Sequence, residues 1–217
     1  MGTEGTIEET RAFSARLRLA TRGEHRSAES GAFMRRLFAG ELPEASFAAL
    51  TSQLYFVYAA LERVAARMRD DPEAAPFLNG GLARVPALEA DLAHFHGDRW
   101  RRAIAPGPAA RAYADRVAAT AGWPGGFVAH HYTRYLGDLS GGQDMARAAA
   151  EAYGLTGPGL EFYAFPEITD PVAFKRGYRG RLDALAAGDE PERDRIIDEA
   201  RAAYGLNIAL LDEVGAA

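Results

Sequence analysis

The stretch HHYTRYLGDLSGGQ, residues 130–143, is the segment on which the interpretation of this chain depends. It continues as DMARAAAEAY, and its composition predicts one long helix that ends near Tyr153. The same stretch contains Gly137, Gly141 and Gly142. Each glycine in a helix interior costs about 1 kcal/mol relative to alanine, so the three together cost roughly 3 kcal/mol. A segment that gives up this much helix stability is expected to gain something from backbone without side chains.

The glycines share a face of the predicted helix. Gly137 and Gly141 are four residues apart and therefore lie about 40° from each other, and Asp138 and Gly142 form a similar pair. The result is a strip of bare backbone flanked by one carboxylate. Such a strip serves either close helix packing or contact with a flat, rigid ligand, and the spacing alone leaves both open. A phosphate-binding loop is not favoured, because no strand precedes the glycines.

A second segment, LRLATRGEHRSAES, places polar side chains on one helical face. At 100° per residue, Arg18, Arg22, His25 and Glu29 fall within about 60° of one another. A histidine with a carboxylate at i+4 suits a metal ligand whose second nitrogen is oriented by an acceptor. The two arginines suit an extended anionic ligand, and heme fits because its propionates lie along one edge. The alternative is a solvated histidine among ordinary surface charge pairs, which this helix alone leaves open.

Helical periodicity without strand-like alternation predicts an all-α protein. We expect one domain over residues 8–214 that contains seven to eight helices, with residues 1–7 and 215–217 as flexible termini. The first helix is predicted over about 7–29. Asp170 followed by Pro171 is a typical helix start, with the aspartate as the cap.

The composition narrows the classes of function. The chain has 217 residues, a net charge of −5 and no cysteine. The acidic balance gives no reason to expect a nucleic-acid partner, and the lack of cysteine excludes disulfides and a cysteine nucleophile. No apolar run has the length of a transmembrane span, and the N-terminus lacks the apolar core of a signal peptide. We therefore expect a cytoplasmic protein without a membrane anchor.

Several segments together resemble the heme oxygenase family. YTRYLGDLSGGQ is similar to its distal-helix signature, and ATRGEHRSAES followed by FMRRLFAG is similar to its proximal-histidine segment. Further segments resemble the family in the same order: LYFVYAALE, ALEADLAHFHGDRW, FYAFPEI, FKRGYRGRLDAL and GLNIALLDEV. The resemblance spans about residues 8–214 and implies heme held between a proximal helix and a kinked, glycine-rich distal helix. It favours a flat ligand as the explanation of the glycines.

The resemblance also implies roles for individual residues. His25 matches the proximal ligand of heme iron, and Glu29 matches the carboxylate behind that histidine. Gly137 and Gly141, with Gly142 beside them, match the glycines that contact the heme on its distal side. The remaining matches are Asp138 in the distal water network, Tyr132 and Arg134 in that network or at its rim, and Arg18, Arg22, Lys175 and Arg179 near the propionates.

The implied reaction is oxidative cleavage of heme to biliverdin, carbon monoxide and ferrous iron. Heme b is then both substrate and cofactor, dioxygen is consumed, and electrons come from a ferredoxin, a flavodoxin or an NAD(P)H reductase that binds transiently. Because Lys175 and Arg179 fit the usual pattern, we expect cleavage at the α-meso carbon and biliverdin IXα. Arginine stands at 18 and 22 where lysine is usual, which keeps the charge but changes the contact geometry.

The alternatives come from other classes. One is a protein that binds or senses heme with this fold but does not cleave it. The other is a thiaminase-like helical protein, which would need the cysteine that this chain lacks. Among the residues not assigned a role, His130 and His131 are interpreted as helix-start residues, and Tyr58 as a core aromatic.

Overall fold

The computed structural model describes residues 12–216, and its regular structure over that range is entirely helical. The predicted helical residues 7–11, the predicted N-terminal tail and Ala217 lie outside the described residues. The helices are α1 (Phe13–Ala20), α2 (Arg22–Glu29), α3 (Ala32–Phe38), α4 (Glu44–Arg67), α5 (Val85–His96), α6 (Trp100–Ala103), α7 (Pro108–Ala119), α8 (Pro124–His131), α9 (Gly141–Tyr153), α10 (Pro171–Ala184) and α11 (Glu190–Ala216). Short 3-10 turns cover Ala75–Phe77, Gly80–Leu82 and Glu161–Tyr163.

The eleven α-helices of residues 12–216 correspond to eight predicted ones. Two predicted helices are each divided by an interruption, giving the pairs α1/α2 and α8/α9, and α6 is a single additional turn. The all-α class is therefore confirmed. The predicted cap at Asp170 is present, because its carboxylate accepts hydrogen bonds from the backbone N–H groups of Val172 and Ala173.

The core forms around α4 and α11, the two long helices. The buried side chains of α4 recur every three or four residues, as an amphipathic helix requires: Leu50, Leu54, Val57, Leu61 and Val64. α4 packs on α5 and α7, whereas α11 packs on α7, α8, α2 and α3. The short helices α2 and α3 are thus held on one side of α11. Within residues 12–216, none of the helices combines the length and apolar character needed to cross a lipid bilayer.

The first predicted helix is interrupted at Thr21. This residue leaves helical geometry, with φ −101° and ψ 8°, and its buried hydroxyl donates to the carbonyl of Leu17 at 2.9 Å. Such a bond weakens a helix only slightly, since Thr51 makes the same bond within the uninterrupted α4. The rule of 100° per residue therefore does not carry across Thr21, and the predicted common face of Arg18 with Arg22 and His25 is not a continuous helical face.

The glycine-bearing helix is interrupted twice. Tyr132–Leu136 forms a π-helical turn, and the chain then leaves the helix at Ser140, with φ −127° and ψ −96°, before α9 begins. A kink is expected at such a π-helical turn. We call the whole segment from Pro124 to Tyr153 the distal helix, and its predicted kink is present.

Candidate functional site

A cleft of about 280 Å³ lies between α2, the distal helix and α11. Its walls include the side chains of Met34, Phe38, Leu50, Leu54 and Phe162, which are apolar. Of the residues predicted for the site, His25, Glu29, Arg134, Gly137, Asp138, Gly141 and Gly142 all line it. The fold thus brings together the two sequence segments that were predicted separately.

The glycine strip, Gly137, Gly141 and Gly142, forms part of the cleft wall. A Cβ added at Gly137 or at Gly141 would meet no atom within 4 Å, apart from the helix's own neighbouring backbone. Close packing against another helix would place atoms there, so these two glycines do not serve helix packing. Gly142 differs, because its Cβ would lie 3.4 Å from the Tyr163 ring. The first two glycines therefore leave open space in the cleft.

His25 presents its imidazole to the cleft from α2. Its Nδ1 lies 3.2 Å from the Glu29 carboxylate, and its ring packs edge-to-face on Tyr204 with centroids 5.9 Å apart. Half of the histidine side chain is exposed. Because the carboxylate holds Nδ1, the other nitrogen, Nε2, is the one available to a ligand in the cleft.

Asp138 lies at the centre of a largely buried group that we call the Asp138 cluster: Asp138, Tyr58, Arg134 and Asn207. The Tyr58 hydroxyl donates to Oδ2 of Asp138, and Arg134 donates from Nη2 to Oδ1 at 3.3 Å. Arg134 also donates from Nε to the Tyr58 oxygen at 3.0 Å and from Nη1 to Asn207. Both oxygens of the Asp138 carboxylate are therefore held in place. Asp138 directly follows Gly137 in the distal helix, so this carboxylate lies next to the glycine strip.

The electrostatics of Asp138 are set by competing effects. Burial raises the pKa of the carboxyl above its usual value, while Arg134, the hydrogen bond from Tyr58 and the charge of Arg84 lower it. Burial has the larger effect. The carboxyl consequently keeps a proton to a higher pH than an exposed aspartate does, which is a useful property for a group that supplies protons.

Two side chains bond the carbonyl groups freed where the distal helix breaks. Gln143 donates from its amide to the carbonyls of Asp138 at 3.1 Å and of Tyr163 at 2.9 Å. Lys175 donates from Nζ to the carbonyl of Leu139 at 3.2 Å and to the Ser140 hydroxyl at 3.1 Å. Carbonyls at an interrupted helix need such partners. The only lysine of the chain thus contacts the broken turn of the distal helix.

Of the other predicted cations, Arg18 and Arg179 act on Tyr132, whereas Arg22 does not. Tyr132 is partly buried; burial raises the pKa of its phenol, and the charges of Arg179 and Arg18 lower it. These two arginines come from α10 and α1, which pack on each other. Tyr132 makes no hydrogen bond to the Asp138 cluster in the described structure. Arg22 is exposed at the start of α2, and its side chain makes no hydrogen bond or salt bridge within residues 12–216.

Tyr58 and Asn207 belong to the Asp138 cluster, although no role in the site was predicted for either residue. Tyr58 occupies an apolar position of α4 and is fully buried, so its pattern is that of a core residue. Asn207 could have been detected, because it is a polar residue within the apolar run LNIALL of α11. A single polar residue in an otherwise apolar helical stretch needs a hydrogen-bond partner.

The interpretation of His130 and His131 as helix-start residues is wrong. Both lie in the last turn of α8, which begins at Pro124, and both are buried. Nε2 of His130 lies 2.8 Å from Glu199, and Nδ1 of His131 lies 2.8 Å from the Tyr178 hydroxyl. Burial and the nearby charge of Arg181 lower the pKa of His131 to about 3.

Comparison with known proteins gives a consistent family. The chain is 39% identical to heme oxygenase 1 of Nostoc sp. over 201 residues, which is 92% of this chain and 84% of that protein. It is 40% identical to heme oxygenase 1 of Rattus norvegicus over 94% of this chain and 72% of that protein. The crystal structure of Synechocystis sp. heme oxygenase-1 in complex with heme matches with a TM-score of 0.90 and 37% identity, covering 95% of this chain and 93% of that one.

The structure of heme oxygenase from Leptospira interrogans matches with a TM-score of 0.88 and 35% identity, covering 94% of this chain and all of that one. The family model described as heme oxygenase matches residues 11–213. Because both the sequence and the fold agree over nearly the whole chain, this protein belongs to the heme oxygenase family of oxidoreductases.

Proposed function

We propose that the protein cleaves heme at the α-meso carbon, releasing biliverdin IXα, carbon monoxide and ferrous iron. Dioxygen is consumed, and electrons come from a ferredoxin, a flavodoxin or an NAD(P)H reductase that binds transiently. The observation that carries this proposal is the composition of the cleft. An imidazole with one free nitrogen, bare backbone at Gly137 and Gly141, and the buried carboxyl of Asp138 all face one space.

The residues of the cleft fit heme. The walls of the cleft are mostly apolar, as contact with a porphyrin face requires, and the open space at Gly137 and Gly141 admits a flat group against the backbone. His25 would hold the iron through Nε2, with Glu29 fixing the orientation of the ring. When bound, heme supplies the redox chemistry of its iron and is itself the molecule that is cleaved.

Asp138 is proposed to hold and release the protons that the reaction consumes. Its raised pKa favours the protonated carboxyl more than in an exposed aspartate, and Tyr58 and Arg134 fix both of its oxygens. The glycine strip contributes because it places no side chain between the Asp138 carboxyl and the cleft. Protons therefore pass from the carboxyl into the cleft through ordered water rather than through a direct side-chain contact.

The basic residues are proposed to bind the two propionates and so to set the rotation of heme in its plane. The charges of Arg18 and Arg179 both act on Tyr132, the helices α1 and α10 that carry them pack on each other, and the ammonium group of Lys175 binds the broken turn of the distal helix. Arg22 is placed with this group on the resemblance alone. A fixed rotation selects which meso carbon is cleaved, and the α position is proposed because Lys175 and Arg179 match the pattern that the family resemblance implies.

The test is turnover of hemin by the purified protein. Hemin is added in a one-to-one ratio, followed by ascorbate or by a ferredoxin with its reductase, in the presence of catalase. We expect the Soret band to decay while the absorption of biliverdin appears, with one carbon monoxide released per heme. Stable heme binding without biliverdin would overturn the proposal and leave a heme-binding protein. The isomer is identified by chromatography of the extracted pigment.

A further inference from the structure

A second cavity, of about 410 Å³, lies beside the distal helix and shares none of its described wall residues with the cleft. We call it the His131 pocket. Its polar walls include His131 and Tyr135 of the distal helix and Glu62 of α4. Its apolar walls are Ala65, Ala66, Leu78, Leu82 and Ala83. A single water needs only about 10–15 Å³ of such space, so the pocket has room for a small organic molecule.

His131 presents an N–H group to this pocket. Its Nδ1 lies 2.8 Å from the Tyr178 hydroxyl, which bonds no other group within residues 12–216. The buried phenol therefore donates to Nδ1, and the imidazole proton is on Nε2. Nε2 has no hydrogen-bond partner in the described structure, yet it is not fully buried. Because His131 is only 3% exposed and lines the pocket, Nε2 is reached from the pocket.

Tyr135 and Glu62 each present one more polar atom without a partner. The Tyr135 ring packs on the His131 ring with centroids 4.3 Å apart, and the residue is 3% exposed. Its hydroxyl bonds no described residue and is not fully buried. Glu62 accepts hydrogen bonds through Oε1 from the backbone N–H groups of Arg84 and Val85. Its Oε2 makes no hydrogen bond in the part of the chain that the structure describes.

These three atoms form a pattern of two donors and one acceptor. Nε2–H of His131 and the hydroxyl of Tyr135 donate, whereas Oε2 of Glu62 accepts. One carbonyl oxygen has two lone pairs and can accept from both donors, and an N–H beside it can donate to the carboxylate. An anion would be repelled by Glu62, and an ammonium group could not accept from the two donors. The pocket therefore suits a neutral group in which a carbonyl lies next to an N–H.

We propose that the His131 pocket is a second ligand site, which binds a small neutral molecule with a cis amide group, such as a lactam. The amide oxygen accepts from His131 and Tyr135, the amide N–H donates to Glu62, and the hydrocarbon part packs on the alanine and leucine side chains. This site stands apart from heme cleavage, because its polar groups do not line the cleft.

The first test is a titration of the heme-free protein followed by nuclear magnetic resonance. The probe is 2-pyrrolidinone, and N-methyl-2-pyrrolidinone, which keeps the carbonyl but lacks the N–H, is the matched control. The pH is held at about 8, because burial raises the pKa of Glu62 and the carboxyl must be ionised to accept.

We expect 2-pyrrolidinone to give saturable shifts of the His131 imidazole nitrogens. The N-methyl compound should bind at least about tenfold more weakly, because it leaves the Glu62 oxygen without a partner. Three outcomes would overturn the proposal: no saturable shift at the pocket, equal affinities for the two lactams, or tighter binding of acetate than of 2-pyrrolidinone.

The second test uses variants that change one polar atom each. Glu62→Gln keeps the two backbone hydrogen bonds through its amide oxygen and turns an NH₂ group towards the pocket, so the acceptor becomes a donor. It should weaken 2-pyrrolidinone at least about tenfold and leave the N-methyl compound no weaker. Tyr135→Phe removes a donor that both lactams use, so it should weaken both.

Glu89→Gln is the control for these variants, because that carboxylate bonds Arg101 and does not line the pocket. It should change neither affinity. Unchanged binding of 2-pyrrolidinone by Glu62→Gln, or of both lactams by Tyr135→Phe, would refute the site. None of these measurements uses heme, so a protein that fails to make biliverdin can still pass them, and the reverse also holds.

Discussion

Gly137→Ala should stabilise the heme-free protein and weaken its binding of heme. Gly137 has φ −61° and ψ −49°, which alanine adopts freely, and a Cβ there would meet no atom within 4 Å outside the local helix backbone. The substitution therefore recovers the helix propensity that glycine forfeits, about 0.5–1 kcal/mol. For a chain of this size, that corresponds to a rise in melting temperature of about 1–4 °C.

In the presence of heme the same methyl group has the opposite effect. It projects about 1.5 Å from the backbone into the space where the proposed function puts the porphyrin. Overfilling a packed contact costs about 1–3 kcal/mol, so the dissociation constant of hemin should rise about 5- to 150-fold. The stabilisation that wild-type protein gains from bound hemin should shrink accordingly, because that gain depends on the dissociation constant.

The assay combines thermal melts without and with hemin, hemin titration by absorbance, and turnover. Gly205→Ala is the matched control. Gly205 is an exposed glycine within α11 whose added Cβ also meets nothing within 4 Å, and it does not line the cleft. It should show the same gain in the heme-free protein and no change in hemin binding. If Gly137→Ala destabilises the heme-free protein, the claim that a Cβ fits freely at this position is refuted. If hemin affinity and turnover are both unchanged, the claim that heme lies against Gly137 is refuted.

Four further changes test the site. His25→Ala should abolish ligation of heme iron, seen as a changed Soret spectrum, with recovery on adding imidazole; an unaltered spectrum rules out His25 as the ligand. Asp138→Asn should retain hemin but form no biliverdin, and normal turnover in that variant would remove the proton role. Replacing Lys175 and Arg179 together should give mixed biliverdin isomers by chromatography, whereas pure IXα would contradict the propionate assignment. Glu199→Gln should lower the free energy of unfolding at pH 7 by up to roughly 3 kcal/mol in urea melts, because the folded protein lowers the pKa of the Glu199 carboxyl from 4.5 to about 2. The difference from the wild-type protein should disappear as the pH falls from 4.5 to 2, because the wild-type carboxyl then becomes protonated.

Much of the fold could be predicted because its helices obey local rules. The apolar positions of α4 recur at helical spacing, and the aspartate–proline start of α10 is a local signal. The interruption at Thr21 could not be predicted, since threonine occurs in many uninterrupted helices. The buried hydroxyl that bonds Leu17 does not explain it either, since buried Thr51 makes the same bond within the uninterrupted α4.

The site shows the same division between local and distant causes. The glycine strip and His25 with Glu29 could be identified because their chemistry is contained in one helical turn each. Tyr58 could not, because it lies 80 residues from Asp138 in sequence and its hydroxyl is directed by how α4 meets the distal helix. Sequence spacing reports which side chains share a face, but not which distant face they meet.

The break in the distal helix connects stability with function. An uninterrupted helix would bond the interior carbonyls of Asp138 and Leu139 to its own backbone, and Gln143 and Lys175 would have no free carbonyl to bind there. Here the π-helical turn and the departure at Ser140 free the carbonyls of Asp138 and Leu139, which are bonded by those two side chains. The turn that presents Gly137 and Asp138 to the cleft is thus fixed by side chains, Gln143 of α9 and Lys175 of α10, in place of backbone hydrogen bonds. The roughly 3 kcal/mol of helix stability that the three glycines forgo is therefore offset partly by these side chains and, under the proposed function, partly by heme.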